Sequence, residues 1–238
     1  MRRTLQLAAA ALLVAGMASH AQMHLHANKP QVEDISWMWP YTQPGPESRE
    51  NRLVLDPHFM PFLERNLRAP QTFWTKNGKH SPLSDVAEEF LMVPGEVIGE
   101  ENRYITADGC VPHFCEDRGM LWVDLRPTNS LVVFAAIDWI SENRSTEDKD
   151  AAYTMWVFSS RALNTEHLPP ALTRSIARWT THPSRKTELQ NITRVFLVDP
   201  DGTPHPVAPF DIGAHNTLPA ETTKEPTQSL STTPKAQQ

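Results

Sequence analysis

Apolar residues recur along this chain first at helical spacing and then in strand-length runs. Phe59, Phe62, Leu63 and Leu67 fall on one helical face. Asp56-Pro57 before them fits an N-cap with proline at N1, and Pro61, just past that first turn, sets the regular helix a few residues later. Phe73-Trp74 starts a further piece that Ser81-Pro82 breaks. Glu89 to Ile98 fits neither period, and Pro94-Gly95 within it marks a turn. Strand signals then take over: Arg103 to Thr106, Met120 to Leu125, Leu131 to Trp139 and Tyr153 to Ser159 are β-prone. Leu172, Ile176 and Trp179 restore helical spacing over Pro169 to Trp179. Arg194 to Val198 then reads as a strand entering the turn Asp199-Pro200-Asp201-Gly202. Strands in close succession with helices at either end predict an α+β fold, an antiparallel sheet with packed helices forming a single domain over residues 51–207.

The two ends follow different rules. Arg2 and Arg3 precede an apolar run from Leu5 to Ala15, too short for the roughly 20 apolar residues of a membrane span. Ser19 and Ala21 supply small residues at the −3 and −1 positions of a signal peptidase site, so residues 1–21 are expected to be a cleaved signal peptide. The expected location is therefore periplasmic or secreted, with no membrane span. Residues 22–50 are polar and Pro-rich around the apolar knot Trp37-Met38-Trp39, and read as an extended arm docking by its tryptophans. Residues 208–238 carry Pro, Thr and Ser with almost no aliphatic clustering and read as a disordered tail, most clearly from about Asn216.

Export changes the charge balance. The full chain has 22 basic and 28 acidic residues; cleavage removes Arg2 and Arg3 and no acid, leaving 20 against 28, or −8. So acidic a chain repels nucleic acid, whose phosphates are bound by Lys and Arg, and suits a cationic partner. The same charge also serves solubility.

Two cysteines in an oxidising compartment are expected to pair. They stand in Cys110-Val111-Pro112-His113-Phe114-Cys115, between two strand-like stretches. A bridge there closes a tight protruding loop and, with Pro112, fixes the direction of His113. The spacing is two residues too long for a C-x-x-C redox site and lacks the C-x-x-C-H of haem attachment. Zinc on Cys110, His113 and Cys115 would crowd three ligands into six residues without an obvious fourth, and a stapled hairpin with an incidental histidine is the plainest alternative.

C-x-P-H-x-C between strands in an exported protein resembles the loop of the inhibitor of vertebrate lysozyme (Ivy) family. Trp74, Ser81-Pro82, Val97, Tyr104, Arg118 and Phe134 extend the similarity over roughly Pro70 to Ala162. The resemblance implies a lysozyme-type muramidase as partner. In that family the loop enters the enzyme's cleft and its His binds two catalytic carboxylates, a role that falls to His113, with Cys110, Pro112 and Cys115 as its scaffold. A homodimer is an option it raises. Where the family's best-studied members carry a Lys after the first Cys and an Asp before the second, this chain has Val111 and Phe114. Its loop is more apolar, which bears on the choice of target enzyme.

Two non-inhibitory readings stand beside this one. A mature terminus Gln22-Met23-His24, with His26, offers a copper chelate if the amine stays free of cyclisation. A structural envelope protein needs no binding role for the loop at all. Glu88-Glu89, Glu100-Glu101 and Glu116-Asp117 read as solvated charge, and Asn143 and Asn191 head accidental sequons if the source is bacterial. No nucleophile elbow, zinc-protease signature or phosphate loop is present, so neither an enzyme nor a resident cofactor or metal is expected.

Overall fold

A computed structural model describes residues 34–42, 49–126, 130–139, 151–182 and 189–214. Seven strands form one sheet in sequence order: β3 (Val93–Glu100), β4 (Tyr104–Val111), β5 (Phe114–Asp124), β6 (Leu131–Trp139), β7 (Ala152–Ser159), β8 (Asn191–Val198) and β9 (Pro204–Val207). A separate hairpin pairs β1 (Thr75–Lys76) with β2 (Lys79–His80). All neighbours in the large sheet are antiparallel except β7 and β8, which are parallel and connected through helix α3 (Pro170–Thr180). The expected α+β class therefore holds, with one parallel pair in a dominantly antiparallel sheet.

Both faces of the sheet are covered, and the central strands show why. Leu131 to Ile137 is an unbroken apolar run with every residue at 0% exposure. A strand with one wet face would alternate; a continuous run marks burial on both sides. Val132, Phe134 and Ala136 face a core built with α1 (Phe59–Asn66) and α2 (Leu83–Leu91), which contribute Phe59, Phe62, Leu63, Val86 and Phe90. Val133, Ala135 and Ile137 face a second core against Leu172, Ile176 and Trp179 of α3. On that side Arg178 forms an ion pair with Glu100 at 2.9 Å, and Ser175 bonds both Glu100 and Thr106, tying α3 to β3 and β4.

Several local expectations change. Asp56 does not cap α1; the helix begins at Phe59, and the Asp56 carboxylate accepts from the His58 N–H at 2.8 Å one turn earlier. Pro61 then sits in the first turn, where its missing N–H costs nothing. Pro94-Gly95 is no turn between elements but an irregularity inside edge strand β3, the place a sheet tolerates proline. Within the expected arm, Ser36–Thr42 forms a 3-10 segment that buries Met38 and packs Trp37 and Trp39 on the first core. The folded unit also runs past Val207: Pro209–Ile212 forms a 3-10 turn, and Ile212 and Ala214 are buried in the second core. Residues 1–33, with the expected signal peptide and Gln22, Met23, His24 and His26, lie outside the described residues, as do Asn143 and 215–238.

One contact sets the position of α2. Gly109 and Gly119 face each other across β4 and β5. A Cβ on Gly119 would lie 2.7 Å from the Phe90 carbonyl oxygen, and one on Gly109 would lie 2.8 Å from the Leu91 Cα. Gly119→Ala should therefore cost about 1–3 kcal/mol, the range for overpacking against unyielding backbone. Urea denaturation of the purified variant measures it; a midpoint equal to wild type would show that α2 is free to move away.

Candidate functional site

The β4–β5 hairpin carries the candidate site at its tip. Val111 pairs with Phe114, so the turn consists of Pro112 and His113 alone. His113 has φ 65°, in the left-handed region. Proline followed by a left-handed residue is the type II pattern, whose second position favours glycine. Placing histidine there costs of the order of 1 kcal/mol. Glycine would take that position at lower cost, and histidine is among the side chains that do adopt it.

The pairing also makes the tip project. The β3 ladder ends at Val93 opposite Cys110, and the β5–β6 ladder ends at Arg118 opposite Ile137. Neither neighbour accompanies Pro112 and His113. His113 is exposed, and among the described residues no hydrogen bond or ion pair engages it. Cys110 and Cys115 are joined by a disulfide with a Cα–Cα distance of 4.8 Å, and no free cysteine remains. The bridge crosses the neck immediately below the turn.

The neck is irregular: β4 runs directly from Cys110 to Val111, while β5 spends Cys115, Glu116 and Asp117 between Phe114 and Arg118. Each bulged position is tied down. The Gln190 side-chain amide donates to the Glu116 carbonyl. Asp117 accepts from the Trp139 N–H at 2.9 Å. Arg118, 6% exposed, donates to the carbonyls of His182 at 2.9 Å and Trp179 at 3.1 Å, closing the C-terminal end of α3. A cation there also meets the negative end of the helix dipole. Burial lowers the Arg118 pKa, and Asp108 works against that.

The remaining expected site residues divide between tip and support. Phe114 is half-buried with its ring 6.2 Å from that of Trp139, edge to face. Val111 is half-buried and packs on the first core, and Pro112 lines a cavity beside it. Of the residues behind the family resemblance, Trp74 contacts Phe90 and Phe158, Tyr104 stacks on Trp122 at 5.3 Å, and Phe134 is buried. Each has a packing role.

Sequence reasoning missed the support on the other side of the loop. Gln71 is buried and bonds four backbone groups: its amide oxygen accepts from the N–H of Phe73 and Trp74, and its nitrogen donates to the carbonyls of Trp74 and Ser81. That fixes the base of the β1–β2 hairpin, whose turn residues Asn77 and Gly78 both have positive φ. Asn-Gly between short β-prone stretches was the available signal. Among the described residues no group of three or more His, Cys, Asp or Glu is placed to hold a metal, and no helix is long and apolar enough to cross a membrane.

Asp117 gives the neck a pH response. Burial pushes its carboxyl up to about 7; the Trp139 N–H opposes this, while Asp138, Glu116 and Glu89 add to it. Burial also raises Asp138 to about 6. A carboxyl raised in the folded state favours folding while protonated. That advantage holds below the unfolded value of about 3.9 and is lost as pH climbs through the folded one. Asp117→Asn keeps the acceptor for Trp139 and removes the titration. It should exceed wild-type stability at pH 8 by up to about 4 kcal/mol, the linkage value of a carboxyl moved from about 3.9 to about 7, a gap that closes toward pH 4. Urea midpoints at the two pH values decide; an equal difference at both would remove Asp117 from the pH response.

The disulfide has its own check. Intact mass should rise by two hydrogens on reduction, and readily alkylated thiols in the untreated protein would contradict the closed loop. No family model matches this chain, and it matches no curated protein and no solved structure.

Proposed function

We propose that this protein is a proteinaceous inhibitor of a lysozyme-type muramidase, acting outside the cytoplasm by inserting the Cys110–Cys115 loop into the enzyme's cleft. The observation that carries the reading is the exposed His113 held in a left-handed turn at the tip of a disulfide-closed hairpin. A retaining glycosidase presents two carboxylates about 5 Å apart. A protonated imidazole has one N–H on each side and can give each carboxylate a charge-assisted hydrogen bond. The anionic pair favours the protonated ring, so binding and proton uptake are linked. Restricting the loop beforehand with a disulfide and a proline lowers the ordering cost of insertion. The acidic balance of the chain supports a cationic partner by accelerating encounter.

The left-handed turn provides a test that separates binding from folding. His113→Gly should relieve the backbone and leave the protein at least as stable as wild type, while His113→Ala should keep the fold. Both should weaken binding by about 2 kcal/mol or more, as for truncation of a central anchor. Lysis of bacterial cells by chicken-type and goose-type lysozymes, followed by turbidity with circular dichroism as the folding control, gives the readout. Inhibition by wild type that either variant retains in full would exclude the loop as the inhibitory element. Absence of inhibition by wild type would leave a loop with only a structural or envelope role.

A further inference from the structure

The face beside the loop carries charge and apolar surface that the fold itself does not use. Asp85, Glu88, Glu89 and Met92 follow at i, i+3, i+4 and i+7, forming one stripe along α2 and its C-cap. Asp85 suits the first turn, but Glu88 and Glu89 lie in the last turn, which holds no basic residue. Anions there oppose the helix dipole, and like charges at these spacings repel. Among the described residues none of the three carboxylates takes part in an ion pair. Met92 is 47% exposed and Val93 40%, next to the loop neck where Val93 pairs with Cys110.

This stripe lines a groove made of adjoining cavities. Cavities of about 290 and 300 Å³ share Lys76, Ser81, Glu89 and Val111, and a third of about 600 Å³ joins them at Ser81 and Asp85. The β1–β2 hairpin is the opposite wall, and Val111 and Pro112 close the end at the loop. Lys76 is the one cation lining the two smaller cavities, against Asp85, Glu88, Glu89 and Asp117.

We infer that this groove is a second docking surface, taking a lysine- or arginine-bearing segment of the cationic protein that the loop engages. The inference builds on the inhibitory reading above. Uncompensated carboxylates beside exposed Met92 and Val93 complement a chain with a basic head on an aliphatic stem, since such side chains lay their methylenes on apolar surface while the charge reaches an anion. The groove meets the loop at Val111 and Pro112, so one partner can cover both.

Glu88→Gln/Glu89→Gln tests it, with Lys76→Glu as the opposite change. The glutamine pair should melt no lower than wild type, because it removes charge that the helix disfavours. Binding of chicken-type lysozyme, measured by surface plasmon resonance across salt concentrations, should weaken three- to tenfold with a shallower salt dependence. Lys76→Glu should tighten it. Unchanged affinity and salt dependence in both variants, with wild type binding normally, would overturn the groove and leave the loop reading intact. An oligolysine peptide titrated against Trp fluorescence covers the other case. If lysozyme is not bound but the peptide is, and the glutamine pair abolishes its binding, the groove stands and the inhibitory reading falls. If wild type binds neither probe, both fall.

Discussion

Helix α2 crosses the sheet at a distance that only a pair of facing glycines permits. Gly109 and Gly119 bring the backbone of Phe90 and Leu91 nearly onto β4 and β5, and both glycines adjoin the loop neck: Gly109 precedes Cys110 and Gly119 follows Arg118. The contact thus fixes more than a core. It sets where the carboxylates of α2 stand relative to the hairpin tip, and it places Phe90 where it packs on Trp74 and Phe134 at once. Any side chain at either glycine would lift the helix and change loop, groove and first core together.

The opposite face supplies the second anchor. Arg118 is a charge taken out of water, a cost that only good geometry offsets. Here it caps the last turn of α3 through two carbonyls, lies 5.5 Å from the Trp179 ring and reaches Gln190, whose amide holds Glu116. Leaving a buried group short of its hydrogen-bond partners typically costs about 1–3 kcal/mol, and more when the group is charged. The loop neck is therefore clamped from both layers, by close backbone packing on one side and buried polar bonds on the other. At its tip His113 is left exposed. Rigidity below and exposure above is the geometry that preorganised recognition requires.

Much of this was readable from local pattern. Leu131 to Ile137 announced a strand by its β-prone apolar run. Cys110, Pro112 and His113 declared the loop by residue type alone. Other features depend on partners distant in sequence. The parallel pairing of β7 with β8 follows from how α3 returns the chain, which no short window contains. β9 hid behind Pro204 and Pro206, tolerable because the strand is an edge. The stripe on α2 was hidden because no helix was read after the break at Ser81-Pro82: with Glu89 assigned to a segment that fits neither period, the spacing from Asp85 to Met92 is never counted. Pro94-Gly95 misled for a related reason, since a bulge and a turn use the same residues.

What remains is a set of choices that folding by itself would not make. A histidine occupies a turn position that glycine would fill at lower cost. Two glutamates sit in the last turn of α2, where a lysine would favour the dipole. Met92 and Val93 stay in water beside them. Each departure is small, about 1 kcal/mol or less, and each would be neutral noise if scattered. They converge on one end of the hairpin and the helix packed against it. Sequences tend to break local rules where binding requires it, and that clustering is what supports the proposal of a binding surface at the loop and its adjoining groove.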